Sequence, residues 1–133
     1  MTYSWAGVML ITKDNKIIAM HRDDKPGIRD AGCYGIFGGA IEDGEEPIDA
    51  AVREINEETN LSVKKEDLEL FRTYSQKRDY LDKTATLYVY VIRDVNPSTL
   101  KTYEGQGIKI LSDDKGGNIA ADIHEAFTDW FNR

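Results

Sequence analysis

Between Gly39 and Leu61 the chain reads GAIEDGEEPIDAAVREINEETNL, and no other stretch constrains the fold as tightly. Gly38 and Gly39 permit a tight turn with positive φ, which residues carrying a Cβ resist. Pro47 suits the first helical position, where its missing N–H would be unpaired anyway. Asp49 follows in the first turn, near the positive end of the helix dipole. Ile48, Ala51, Val52 and Ile55 recur at helical spacing and form an apolar stripe. Asn60 ends the run, because asparagine tolerates the left-handed position after a helix second only to glycine. The expectation is a glycine loop that feeds an amphipathic helix.

Glu54, Glu57 and Glu58 fall on a face beside that stripe. Like charges three or four residues apart cost a helix only about 0.2–0.5 kcal/mol per pair. A wet acidic face is therefore one reading of the cluster. The glycine loop supplies another. Exposed backbone carbonyls next to three carboxylates make an all-oxygen pocket, the donor set preferred by hard divalent ions such as Mg²⁺ or Mn²⁺.

These residues carry a family resemblance. The Nudix box reads G-x5-E-x7-R-E-U-x-E-E-x-G-U, with U a bulky aliphatic residue. It is met here by Gly39, Glu45, Arg53, Glu54, Ile55, Glu57, Glu58 and Leu61, with Asn60 in place of the late glycine. The segment from Phe37 to Glu45 also resembles the family, which usually has proline where Phe37 stands. The resemblance implies an α/β fold, an α/β/α sandwich with a mixed sheet between helices. It implies Mg²⁺- or Mn²⁺-dependent hydrolysis of a nucleoside diphosphate linked to another group. Glu54, Glu57 and Glu58 would ligate metal together with the Gly39 carbonyl. Arg53 would orient Glu54, since a guanidinium fork can hold a carboxylate through two hydrogen bonds. Glu45 would serve as a structural partner or as a carboxylate at the helix start.

Water must attack a phosphorus ringed by negative oxygens. Metals neutralise that charge and lower the pKa of a bound water, and positioning does most of the remaining work. A carboxylate must also accept the proton. Glu54 is one candidate base. Some relatives use a glutamate outside the box, and here Glu104, in the loop Tyr103-Glu104-Gly105-Gln106-Gly107, is the outside candidate for base or metal ligand.

The 133 residues suit a single domain spanning the chain. A net charge of −7 argues against a nucleic-acid partner, which needs a basic face. A small nucleotide is the expected substrate. The lone cysteine, Cys33, has no internal partner, in keeping with a cytoplasmic location. Cys33, His21 and His124 read as structural or surface residues. No apolar run is long enough to span a membrane, and the family often forms homodimers.

Along the chain, Ala6 to Ile11 suits a buried strand. Lys13 to Lys16 is a turn, and Ile17 to Met20 returns as the second arm of a hairpin. Arg22 to Gly35 reads as a loop. Strands are expected at Leu68 to Tyr74, centrally at Thr84 to Ile92, and at Ile108 to Leu111. Ala120, Ile123, Phe127 and Trp130 or Phe131 have the spacing of a C-terminal helix.

Substrate choice is less constrained. Arg22 follows the second strand and can reach phosphates. Lys25, Arg29, Lys77 and Arg78 are further cations, each equally a solvated surface charge. Tyr34, Phe37, Tyr74, Tyr80 and Tyr103 can stack on a base or pack in the core. The leading expectation is a nucleoside triphosphate or related nucleotide. The alternatives are a nucleotide sugar or dinucleoside diphosphate, and a nucleotide-sensing domain without catalysis.

Overall fold

A computed structural model describes residues 2–27, 30–78 and 83–133. Arg29 and Tyr80, and the side chains of Lys77 and Arg78, lie outside what is described. The elements in order are β1 (Thr2–Ile11), β2 (Ile17–His21), β3 (Tyr34–Gly35), β4 (Phe37–Ala40), α1 (Pro47–Glu58), β5 (Glu69–Arg78), β6 (Lys83–Ile92), β7 (Ile108–Leu111) and α2 (His124–Phe131). A short 3₁₀ turn covers Lys65–Asp67.

Strand β1 explains the layering. Side chains alternate across a strand. Ala6, Val8 and Leu10 point into one core, where they meet Ala50, Ala51 and Ile55 of α1. Met9 and Ile11 point into the other, where they meet Ala126, Phe127 and Trp130 of α2. Strand β6 does the same, with Tyr90 on the α1 side and Leu87, Val89 and Val91 on the α2 side. A strand buried on both faces must be apolar at every position, which is why Ala6 to Ile11 lacks polar interruptions. The result is an α/β/α sandwich around a seven-stranded mixed sheet.

The sheet runs β3-β2-β1-β6-β5, with β4 also on β1 and β7 also on β2. Strands β1 and β6 are parallel from Thr2↔Thr84 to Leu10↔Ile92. The hairpin partner β2 takes only Leu10 and Ile11 of β1. The free edge of β1 from Trp5 to Val8 is filled by β4 instead. That division brings the glycine segment, and with it the start of α1, against the middle of the sheet.

Three local expectations are corrected. Gly38 and Gly39 make no positive-φ turn; they lie in β4, and the positive φ falls at Gly44, at 80°. Glycine is needed at 38 for closeness, since a Cβ there would lie 2.6 Å from the Gly7 Cα across the ladder. Asn60 is not left-handed, because among the described residues only Asn15, Asp30 and Asp94 are non-glycine residues with positive φ. Its amide instead clasps another segment: Nδ2 donates to the Thr99 carbonyl at 3.0 Å, and the Lys101 N–H donates to Oδ1 at 2.8 Å. The C-terminal helix starts at His124, later than its apolar spacing suggests. Ala120 and Ile123 are buried ahead of it, with the Ala120 N–H donating to the Tyr34 carbonyl at 2.8 Å. Among the described residues no helix is long and apolar enough to cross a membrane.

Candidate active site

The turn before α1 sets the first part of the site. Gly44 allows the chain to double back, and the Glu42 N–H donates to Glu45 Oε1 at 3.0 Å. That aims the Glu45 carboxylate at Arg53. Arg53 Nε donates to Glu45 Oε2 at 2.9 Å and Nη2 to Oε1 at 3.0 Å. Nη1 donates to Glu54 Oε1 at 2.8 Å, and Nη2 reaches the Ala40 carbonyl at 3.2 Å. One planar guanidinium thus fixes the start of the helix, the end of β4 and the Glu54 carboxylate. A lysine, a point charge without the fork, cannot make that set. The Arg53 hydrogen bonds, helped by the Glu42 N–H, hold the Glu45 carboxyl below its usual range. Glu45 in turn raises the pKa of the Arg53 guanidinium.

Glu58 is the second part. It is only 5% exposed, and its Oε1 has no hydrogen-bond donor among the described residues. Burial first, then the neighbouring Glu104 carboxyl and the Glu54 charge, push its pKa up to about 10. An ionised carboxylate in such a place needs a cation, since burying it unpaired is costly. Gly39 completes the wall, because a Cβ there would lie 2.6 Å from the Glu54 Cδ. Only glycine leaves room for the carboxylate against β4.

The donor set fits a hard divalent ion: carboxylates from Glu54, Glu58 and Glu104 beside a glycine backbone, all oxygen. Among the described residues no three histidine, cysteine, aspartate or glutamate side chains are grouped so that they could hold a metal ion by themselves. Water and phosphate oxygens would then complete the shell, as is usual for Mg²⁺.

A cavity of about 340 Å³ opens over these groups, lined by Arg22, Gly39, Glu54, Glu58 and Glu104 on one side. Trp5, Ile36, Leu87, Asp122 and Ile123 are among the other residues of its wall. Glu57 is not among the lining residues; its side chain is 61% exposed, and its carboxylate is 3.8 Å from Arg53 on the solvent side. The structure therefore brings Glu54, Glu58, Glu104, Gly39 and Arg22 together, with Arg53 bound to Glu54 and Glu57 exposed outside the cavity lining. Of the aromatic candidates, Phe37 and Tyr74 are core residues, Tyr34 packs its ring on His21 with centroids 4.7 Å apart, and Tyr103 is exposed. Lys25 is exposed. Sequence reasoning missed Trp5 and Asp122. The available signals were the odd register of Trp5 on β1 and the place of Asp122 just ahead of the last helix.

Comparison with known proteins adds to this geometry. The NUDIX domain model matches residues 3–116. The ADP-ribose pyrophosphatase of Methanocaldococcus jannaschii is 44% identical over 59 residues, which are 44% of this chain and 33% of that protein. The match thus spans about a third of that relative's length. A MutT/nudix family protein from Enterococcus faecalis has a similar structure, with a TM-score of 0.80 and 17% identity over 100% of this chain and 62% of that one. A bifunctional NMN adenylyltransferase/ADP ribose pyrophosphatase from Francisella tularensis, complexed with AMP and Mn ion, gives a TM-score of 0.62 at 18% identity over 94% of this chain and 36% of that one. At these identities the structural likeness is one of fold.

Proposed function

The chain belongs to the Nudix family, and on that footing we propose that it forms a single Nudix domain that hydrolyses the diphosphate linkage of a nucleoside triphosphate or related nucleotide with Mg²⁺ or Mn²⁺. The observation that carries this reading is Glu58, a buried carboxylate whose Oε1 lacks a donor among the described residues and which lines one cavity with Glu54 and Glu104. Two such groups cannot both stay ionised without a shared proton or a cation between them, and a divalent ion relieves both charges at once. Glu54, Glu58, Glu104 and the Gly39 carbonyl would hold the ion, and Glu57 would meet it or the phosphates from the solvent side. A divalent cation bound there supplies charge neutralisation and an acidified water.

The chain's own groups do the rest. Arg53 fixes the Glu54 carboxylate in one orientation, so that it need not reorganise as charge develops. Glu54 or Glu104 accepts the proton of the attacking water. Arg22, on the cavity wall, offers a cation to the phosphates. Trp5, 37% exposed at the cavity, offers a ring face on which a base can stack.

A second reading has a specific observation behind it. The relative from Methanocaldococcus jannaschii bears the name of an ADP-ribose pyrophosphatase, which favours a nucleotide sugar or dinucleoside diphosphate as substrate. A non-catalytic sensor is disfavoured by the presence of every box carboxylate. The experiment is a panel of nucleoside triphosphates, nucleotide sugars and ADP-ribose incubated with Mg²⁺ or Mn²⁺, with products resolved by chromatography. Nucleoside monophosphate with pyrophosphate supports the first reading. AMP with ribose 5-phosphate supports the second. Binding without turnover across the panel overturns both in favour of a sensor.

A further inference from the structure

Glu104 sits on an exposed loop, yet it lines the same cavity as Glu58, the most buried carboxylate of the site. Fixing a loop residue costs about 1–2 kcal/mol of backbone entropy, so something must hold this one. Its two ends are tied by backbone. The Tyr103 N–H donates to the Glu58 carbonyl at 2.8 Å, which fastens one end to the last turn of α1. The His21 N–H donates to the Gly107 carbonyl at 2.9 Å, and the Gln106 N–H to the His21 carbonyl at 2.8 Å. These fasten the other end to the close of β2.

One side chain adds to this frame. Gln106 Nε2 donates to the Arg22 carbonyl at 2.9 Å and lies 3.4 Å from His21 Nε2. His21 is itself held by its ring packing on Tyr34 of β3. Between Glu104 and Gln106 the chain passes so near β2 that only glycine fits. Gly105 has φ of 79°, and a Cβ there would lie 2.6 Å from the His21 carbonyl oxygen. The loop is therefore gripped on both sides of Glu104, and the Gln106 side chain links it to Arg22, the residue just after β2.

We propose that Gln106 is a positioning residue, whose amide ties the Glu104 loop to the end of β2 and so sets the Glu104 carboxylate against Glu58. The proposal rests on the metal-site reading above. It extends the site to a residue that lines no part of the cavity. The same link couples the placement of Glu104 to that of Arg22, since Gln106 grips the Arg22 backbone directly. Outer partners of this kind change metal affinity by about 10–100-fold when removed.

The test is Mn²⁺ binding to the full chain without substrate, followed by electron paramagnetic resonance. Gln106→Ala should weaken Mn²⁺ binding by about tenfold and lower kcat more than it raises KM. Gln106→Met, which keeps length and loses the donors, should behave alike and guards against a packing effect. Gly105→Ala should shift affinity in the same direction. The decisive arm is the double-mutant cycle. In a Glu104→Gln background, Gln106→Ala should change Mn²⁺ affinity no further, because the group it positions is gone. Unchanged affinity in both single variants, or an equal loss in both backgrounds, overturns the proposal. A Glu104→Gln variant that binds Mn²⁺ as the wild type does also overturns it, while leaving the box site intact. A wild-type protein that binds no Mn²⁺ overturns the metal site itself, a separate result.

Discussion

The Glu54 carboxylate occupies the space that a side chain on residue 39 would fill, its Cδ standing 2.6 Å from the position of a Cβ on Gly39. Residue 39 must therefore be glycine for the carboxylate to rest against β4. In Gly39→Ala, Glu54 must swing away from Arg53 Nη1. Displacement of a catalytic group by about 1 Å can cost on the order of 100-fold in rate, and kcat/KM should fall by that order. The thermal midpoint should move little, since the clash is relieved by one flexible side chain. A rate within twofold of wild type would remove this packing from the account.

Arg53 supports the same group from behind. Arg53→Lys keeps the charge and loses the fork that joins Glu45, Glu54 and Ala40. Activity should fall at least tenfold, and Glu45→Gln should fall in the same direction by less. The Glu45 carboxyl is held below its ordinary value in the folded state. Its contribution to stability is therefore present above the unfolded value of about 4.5 and is lost as pH falls through the folded pKa. Acid titration of unfolding should show a smaller loss of stability below that pH in Glu45→Gln than in wild type. Parallel acid curves for the two proteins would count against the pairing.

Glu58 works in the opposite sense. Its folded pKa is raised from 4.5 to about 10. Between those values the folded protein binds a proton that the unfolded chain releases, so this group lowers stability as pH rises through the window. In metal-free protein, Glu58→Gln has no proton to bind there, so it should remove that slope and be more stable than wild type near pH 8. The same change should abolish most of the activity. Denaturant unfolding with chelator at several pH values reads the first effect, and a variant less stable than wild type at pH 8 would contradict it.

Asn60 stands where the family pattern has glycine. Its side chain makes two hydrogen bonds, to Thr99 and Lys101. Asn60→Gly should therefore destabilise by about 1–2 kcal/mol, from the lost bonds and the freer unfolded chain. A left-handed helix end would instead gain from glycine, so a stabilised variant would refute the clasp.

What the sequence made legible depended on whether local chemistry or tertiary closeness selected each residue. Helix α1 was readable from Pro47, Asp49 and the stripe through Ile55, since each of these acts within its own helix. Strands β1, β2 and β6 were readable because apolar runs need burial on both faces. Strand β4 was not. Gly38 and Gly39 look like a turn, but they are glycine because Gly7 and Glu54 press against them from other elements. Asn60 misled in the same way, its partners lying some forty residues on. The box named the acidic cluster, but its helical face did not distinguish Glu58, which is buried, from Glu57, which is exposed. Trp5 meets the cavity from β1 and Asp122 from the segment ahead of α2, so only the tertiary fold brings the two to one site.

The pocket at Glu54, Glu58 and Gly39 is proposed to hydrolyse a nucleotide diphosphate bond with a divalent ion. The most direct measurement is turnover of the best substrate from the nucleotide panel by wild type and Glu58→Gln. Each is assayed after chelation and again after Mg²⁺ or Mn²⁺ is restored. Wild-type activity should vanish with the chelator and return with metal, while Glu58→Gln should stay lower by orders of magnitude at every metal concentration. Turnover that persists in chelator, or a Glu58→Gln enzyme as fast as wild type, would contradict it.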